Sequence, residues 1–441
     1  MRSISAMILG VLLSTSLQAK DFSSNYAHVP LVKMPSFNLK AIQAEDEMDK
    51  LRGEAPRFAY THTVDLNPSN SGVWEVDGDL SIWRLRIASK GAESINLGFT
   101  KYNMPQSASL YVFSNDGESI RGPFNAMNNS AARQLWTPVV FGEQIIVELR
   151  VATADREQVQ LQLTDVNHDY LGFGKPKMKT EKSGACNVDV VCNEGNAYNQ
   201  QIRSVATISY GGSRFCTGAM INNTANDGKP YFLTANHCGV RANNAPTLVA
   251  YWNFENSTCR APNSGASGGR GDGKLNQYTT GSTFKASISN SDFTLVEFNQ
   301  KPDPSYKVFY AGWDRRKVAP TNSIAIHHPN VDEKRISFDF EPGIISSYLD
   351  RGQSGVNTHI KIASWNVGTT EPGSSGSPLF NQDKRIVGQL HGGYASCTSD
   401  TADWYGHLAY SWDNGTPANS LKAWLDAAAT GAEFIDGIEQ Q

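Results

Sequence analysis

No cysteine occurs before residue 186. All six, Cys186, Cys192, Cys216, Cys238, Cys259 and Cys397, lie in the C-terminal part of the 441-residue chain. They form no C-x-x-C pair and scatter too widely for a zinc knuckle. An excess of one charge is missing as well: 39 Lys and Arg stand against 43 Asp and Glu, a formal net charge of −4. Nothing here recommends a nucleic-acid partner. After the first residues no run approaches the roughly 20 apolar residues that a membrane helix needs. The Gly-rich stretch 265–273 is followed by no Lys-Ser/Thr and opens no helix pattern, which argues against a phosphate cradle and for a flexible surface loop. No long amphipathic helix interrupts residues 186–415.

Arg2, the apolar run 6–13 and the small or polar residues ending at Ala19 have the form of a secretory signal peptide, residues 1–19. Export makes an even cysteine count read as disulfides, with 15 pairings open. Residues 20–55 show little periodicity and read as an arm. From Trp74 to Val151, "LSIWRLRIAS", "ASLYVFS" and "EQIIVELRVA" carry β-branched and aromatic residues between turn formers. They predict a small β-sandwich with no cluster of catalytic groups. Residues 170–185 are a basic hinge with four lysines. The boundary falls inside it, dividing 20–182 from 183–441.

Beyond the hinge, short strands are separated by turns, among them "SVATISY", "PYFLTA", "DFTLVEF", "RIVGQLHG" and "GHLAYSW". They point to an all-β sandwich or barrel. Leu421, Trp424 and Leu425 recur at helical spacing and predict a short amphipathic C-terminal helix.

Three segments carry the residue types that acyl transfer requires: a nucleophile, a base, a carboxylate to hold the base, and donors for an oxyanion. In "EPGSSGSP", Ser375 is flanked by Gly373 and Gly376, and such a turn can aim the amides of Gly373 and Ser375 at one point. In "FLTANHCG", His237 follows an apolar strand beside Cys238, which Cys216 is well placed to bridge. In "NSDFTLVEF", Asp292 stands at the start of a strand. Their chain order, His then Asp then Ser, is one of the orders in which this triad occurs. No cofactor or metal is implied. The pair His327–His328 has no third ligand at useful spacing and reads as structural.

Taken together, "C-T-G", "T-A-x-H-C", "S-D-F-T-L" and "G-x-S-G-x-P" resemble the trypsin-like serine peptidases. "CNVDVVCNEG", "YWNFENSTCRAPN", "AGWDRR", "AIHHPNV", "GQLHGG" and "TGAEFIDG" bring the chain closer still to the bacterial lysyl endopeptidases. The resemblance covers residues 183–440. It implies a chymotrypsin-like double six-stranded β-barrel preceded by the sandwich-like propeptide domain. It also implies a triad of His237, Asp292 and Ser375, oxyanion amides from Gly373 and Ser375, and the pairs Cys186–Cys397, Cys192–Cys259 and Cys216–Cys238.

The residue six before Ser375 is Thr369, not the aspartate that trypsin uses to read a basic side chain. The resemblance assigns that role to Asp403 in "SDTADWYGHLAYSW", although Asp400 is close and the loop is short. It places His391 and Gly392 on the wall that substrate pairs with. Tyr348 stands where the family has tryptophan. Ser374, before the nucleophile, cannot pair with a new terminal amine as an aspartate would, so activation is expected by removal of a blocking or folding domain, with cleavage between Lys182 and Ser183. The implied protein is a secreted, monomeric zymogen with no membrane attachment. It would cleave after Lys, with its own propeptide and then protein substrates as partners. Broader Lys/Arg cleavage and a non-catalytic binding protein of the same fold are the alternatives.

Overall fold

The computed structural model describes residues 26–174, 183–269, 271–351 and 357–440. The expected leader and Lys182 lie outside them.

The N-terminal part is two β-sheets packed face to face. One runs Leu31–Lys33, Leu80–Ala88, Gln144–Ala152, Ser109–Ser114 and Ile120–Phe124, with Val73–Asp77 added on Leu80–Ala88. The other runs Ala59–Leu66, Gln160–Asp169, Ser94–Asn103 and Leu135–Trp136, with Val140–Phe141 beside Ser94–Asn103. Leu85, Ile87, Val147 and Leu149 of the first sheet share a core with Ile95, Leu97, Phe99 and Val166 of the second. Along Leu80–Ala88 burial alternates at Leu85 and Ile87, which is why that pattern was readable, whereas residues 145–149 and 94–99 are buried on both faces. The arm does not remain an arm. Leu39–Leu51 is a helix capped by Asn38, whose side chain accepts from the Ala41 amide at 3.2 Å. Only Ile42 is buried on it, so no apolar stripe announced it.

The C-terminal part holds two large, mainly antiparallel sheets and a two-stranded pair of Phe309–Tyr310 with Ile438–Glu439. The first is seven-stranded: Tyr278–Thr280, Val249–Trp252, Val205–Tyr210, Arg214–Met220, Tyr231–Ala235, Phe293–Phe298, Ser282–Ile288. The second has ten strands, with Ser323–His327, Pro378–Phe380, Ile386–Gly393, Asp403–His407 and His359–Ile362 at its centre. The expected six strands per barrel are exceeded because two- and three-residue pieces such as Val188–Asp189 and Ile344–Ser346 extend the edges. Val205, Ala219, Leu233 and Leu295 of the first sheet pack with Ile324, Ile336, Phe380 and Ile386 of the second.

Three local expectations change. "GHLAYSW" is not one strand: Asp403–His407 is extended and Leu408–Ser411 is one helical turn. The C-terminal helix shrinks to Lys422–Leu425, though Leu421 and Leu425 are buried as the spacing implies. The Gly-rich loop is anchored, since Ser267 is buried and its carbonyl accepts from Arg335 at 2.6 Å.

The two parts meet through backbone pairing. The Phe58 amide donates to the Ser213 carbonyl at 2.7 Å, and the Phe215 amide to the Pro56 carbonyl at 3.1 Å. Residues 56–58 thus lie antiparallel to the start of the strand Arg214–Met220. Phe58 and Phe173 from one side and Phe215, Tyr251 and Phe254 from the other form a common apolar cluster. Arg214 reaches Asp49 at 2.7 Å from the short helix.

Candidate active site

The strand Tyr231–Ala235 pairs with Phe293–Phe298, and this register brings the residues after one strand beside those before the other. His237 and Asp292 occupy these two places. Asp292 Oδ2 lies 2.8 Å from His237 Nδ1, and Oδ1 accepts the His237 amide at 2.8 Å. Asp292 is in the left-handed region, φ 56°, a conformation an aspartate tolerates better than most side chains. Burial pushes its carboxyl up, but the adjoining imidazoles of His237 and His391 and the N–H donors outweigh this and hold it below its ordinary value.

Ser375 is held from beneath by Thr217. The Thr217 amide donates to the Ser375 carbonyl and its hydroxyl to the Gly373 carbonyl, both at 2.8 Å. Gly373 and Gly376 have φ of 93° and 83°. A Cβ on Gly373 would stand 2.4 Å from the Phe215 ring, and one on Gly376 2.4 Å from the Thr217 carbonyl. Only glycine permits this turn. The amides of Ser374, Gly376 and Ser377 are bonded within the protein. Among the described residues, those of Gly373 and Ser375 meet no protein acceptor. The disulfide Cys216–Cys238 ties the strand carrying Thr217 to the residue after His237. Cys186–Cys397 and Cys192–Cys259 are the other two bonds.

His391, on Ile386–Gly393, lies face-on to His237 with centroids 5.3 Å apart, and its other face carries Tyr348. Its Nδ1 is 3.8 Å from Asp292 Oδ2. Burial lowers its pKa to about 4, against the pull of Asp292 in the other direction. The atoms of His237, Asp292 and His391 converge within 4.8 Å. The 2.8 Å contact of His237 with Asp292 is nevertheless a hydrogen bond between facing groups, not two ligands turned to a common centre.

Residues 180–406 match the family described as "Lysyl endopeptidase, C-terminal domain", and residues 73–170 match "Lysyl endopeptidase N-terminal domain". The chain belongs to the lysyl endopeptidase family. It is a serine endopeptidase acting on peptide or protein substrates. A lysyl endopeptidase from Pseudomonas aeruginosa is 28% identical over 354 residues, covering 72% of this chain and 70% of the relative. Among solved structures, a Glu endopeptidase aligns at 16% identity and a TM-score of 0.34, covering 58% of this chain and 99% of that one. An HtrA-type protease aligns at 17% and 0.32, covering 48% of this chain and 59% of that one, under two thirds of its length.

In this lysyl endopeptidase family member, Asp403 is 1% exposed. Its Oδ2 accepts from Trp365 Nε1 at 2.8 Å and from the Thr370 hydroxyl at 2.7 Å. Burial raises its pKa despite these donors. Gly393 lies opposite it in the sheet, where a Cβ would come within 2.3 Å of Oδ1. Asp400, by contrast, is exposed on the rim of a neighbouring pocket of about 340 Å³ lined by Trp365, Thr369 and Cys397. Gly392 lies near Tyr348, 3.5 Å from its hydroxyl to a built Cβ.

His327 and His328 are buried supports. His327 Nδ1 is 2.8 Å from the Ser374 hydroxyl, and His328 stacks on Phe254. Ser183 is buried, with its hydroxyl 2.5 Å from Asp332, while the Gly184 amide donates to Glu371 at 3.0 Å. Thr217, His359, Trp365 and Thr370 were not singled out from sequence. Thr217 lies within the "C-T-G" segment that the resemblance quotes, with nothing to assign it a role, and the other three sit in ordinary strand or loop segments that no local signal marks.

Proposed function

We propose that this serine endopeptidase cleaves on the carboxyl side of lysine through an acyl-enzyme. Ser375 Oγ bonds to the scissile carbonyl carbon while His237 takes its proton. The C–N bond then breaks as His237 passes that proton to the leaving amine, and water repeats the sequence to free the acid. Asp292 holds His237 in the required tautomer and stabilises the imidazolium. The unengaged amides of Gly373 and Ser375 receive the oxyanion. The observation that carries this assignment is the 2.8 Å contact between Asp292 Oδ2 and His237 Nδ1, on a loop disulfide-linked to the strand beneath Ser375.

Lysine preference is supported by Asp403. A buried carboxylate fixed on one oxygen by Trp365 and Thr370, with glycine opposite, suits a compact ammonium at the end of a long stem. The uncharged Thr369 leaves no rival anion at the position trypsin uses.

The chain is read as a secreted zymogen, with residues 1–19 as leader and 20–182 as propeptide. Export is supported by three disulfides. Among the described residues no helix is long and apolar enough to cross a membrane. Latency is supported by residues 56–58, which occupy a strand edge beside Phe215, the residue packed against Gly373. Cleavage between Lys182 and Ser183 requires the Ser183 side chain to leave Asp332.

The decisive experiment is hydrolysis of matched Lys and Arg peptides by the processed protein, with Ser375→Ala and Asp403→Asn alongside. Lys cleavage lost in the first and selectively lowered in the second supports the scheme. Equal cleavage of both peptides, unchanged by Asp403→Asn, would move it to broad basic specificity.

A further inference from the structure

Behind His391 lies a second imidazole with no part in the scheme above. His359 begins the strand His359–Ile362, which pairs with Asp403–His407 on one side and Ile344–Ser346 on the other. It is 1% exposed. Its Nε2 is 2.9 Å from His391 Nδ1, and its Nδ1 is 2.7 Å from the Thr358 hydroxyl. A 2.9 Å contact between two imidazole nitrogens needs one proton between them. When His391 Nδ1 carries it, His359 Nε2 accepts and His359 Nδ1–H donates to Thr358.

The same His391 Nδ1 is the atom that lies 3.8 Å from Asp292 Oδ2. That oxygen already accepts from His237. A free Nδ1–H on His391 would therefore be a second donor for the carboxylate that orients the base. Resting on the triad assignment above, we propose that His359 is a positioning residue: it holds Nδ1 of His391 and so keeps that ring from competing with His237 for Asp292. The ring stays flat between Tyr348 and His237.

The titratable groups facing His359 are His391 from the neighbouring wall, Asp292 from the loop before Phe293–Phe298, and His407 from Asp403–His407. Tyr348 is tilted against it at 5.3 Å. Burial, followed by the His391 charge, lowers the pKa of His359 to about 3, so it meets His391 as a neutral partner. Without it, His391 Nδ1–H turns to Asp292, and the pairing favours protonated His391 within the working range.

The test compares His359→Phe with His359→Gln in the processed enzyme, active sites being counted with a serine-directed phosphonate. In the Phe variant kcat falls roughly tenfold while KM stays within about twofold. Its acidic limb of kcat/KM steepens from one proton toward two. The Gln variant, whose amide can still meet Nδ1, stays near wild type in both. A Phe variant with unchanged kcat and a one-proton limb overturns the proposal. So does a lower kcat with a one-proton limb, which marks mere structural damage. Imidazole nitrogen NMR of the Ser375→Ala protein gives a readout independent of folding defects and of peptide cleavage. A coupling across the contact of His359 Nε2 with His391 Nδ1 is expected, and its absence overturns the proposal. If the wild type cleaves neither peptide, the functional assignment fails while the NMR readout still decides the role of His359.

Discussion

The phenol ring of Tyr348 lies parallel to the imidazole of His391, with centroids 3.6 Å apart and planes 7° apart. The stack closes the side of His391 that faces away from His237. Burial there lowers the His391 pKa to about 4. In Tyr348→Ala, water reaches the ring and its pKa rises toward the ordinary value of about 6.5. Below about pH 6 a positive charge then forms beside His237, where the proposed acylation develops one. Activity should be lost more at pH 5.5 than at pH 8, and pH–rate profiles of Tyr348→Ala and Tyr348→Trp will show it, the Trp variant keeping the wild-type shape.

Asp403→Asn should cost about 2–5 kcal/mol in kcat/KM for a lysine peptide, the usual penalty for truncating a buried charge pair. Its effect on folding has the opposite sign. Burial raises the carboxyl's folded pKa, so the folded state binds the proton more tightly than the unfolded chain. The group therefore opposes folding increasingly as pH rises from its unfolded pKa through its folded one. At pH 7 the ligand-free Asn variant should melt no lower than wild type. The difference should vanish toward about pH 3, well below the unfolded pKa, where both states of Asp403 are protonated. Thermal melts at the two pH values check this.

Thr217→Val removes the hydroxyl that holds the Gly373 carbonyl. The carbonyl is left buried without its donor, a cost of about 1–3 kcal/mol. The loss should appear in kcat, since the peptide plane that carries this carbonyl and the Ser374 amide lies between the two amides proposed for the oxyanion, and its rotation displaces them. Steady-state kinetics normalised to titrated active sites separate this from a smaller folded fraction.

Phe58 joins the two parts through both its amide and its ring. Phe58→Asp places a charge in the cluster with Phe173 and Phe215. An isolated N-terminal part carrying it should inhibit the processed enzyme at least about tenfold more weakly than the unaltered one, the equivalent of some 1.4 kcal/mol. Equal inhibition by both would remove residues 56–58 from the explanation of latency.

Much of this was legible in the linear chain because its marks are local. β-Branched and aromatic residues along 80–88 and 144–152 foretold the sandwich, the first by an alternation at residues 85–88 that marks one buried face, the second by an apolar run that is buried on both. Gly373 and Gly376 around Ser375, and Cys238 after His237, drew attention because turns and disulfides leave their own residues in place. The helix Leu39–Leu51 left no such trace, as it lies on the surface and is held by Arg57 and Arg214 through Asp46 and Asp49.

Residue types and their order therefore specified the family, the strands and the candidates His237, Asp292 and Ser375. The support of that site arose elsewhere. Thr217 reaches Gly373 from a strand 156 residues away in sequence, Trp365 reaches Asp403 across 38, and His359 reaches His391 across 32. These contacts depend on strand register and on how two sheets close on one another. Such geometry is fixed by long-range packing, so no short window of sequence contains it.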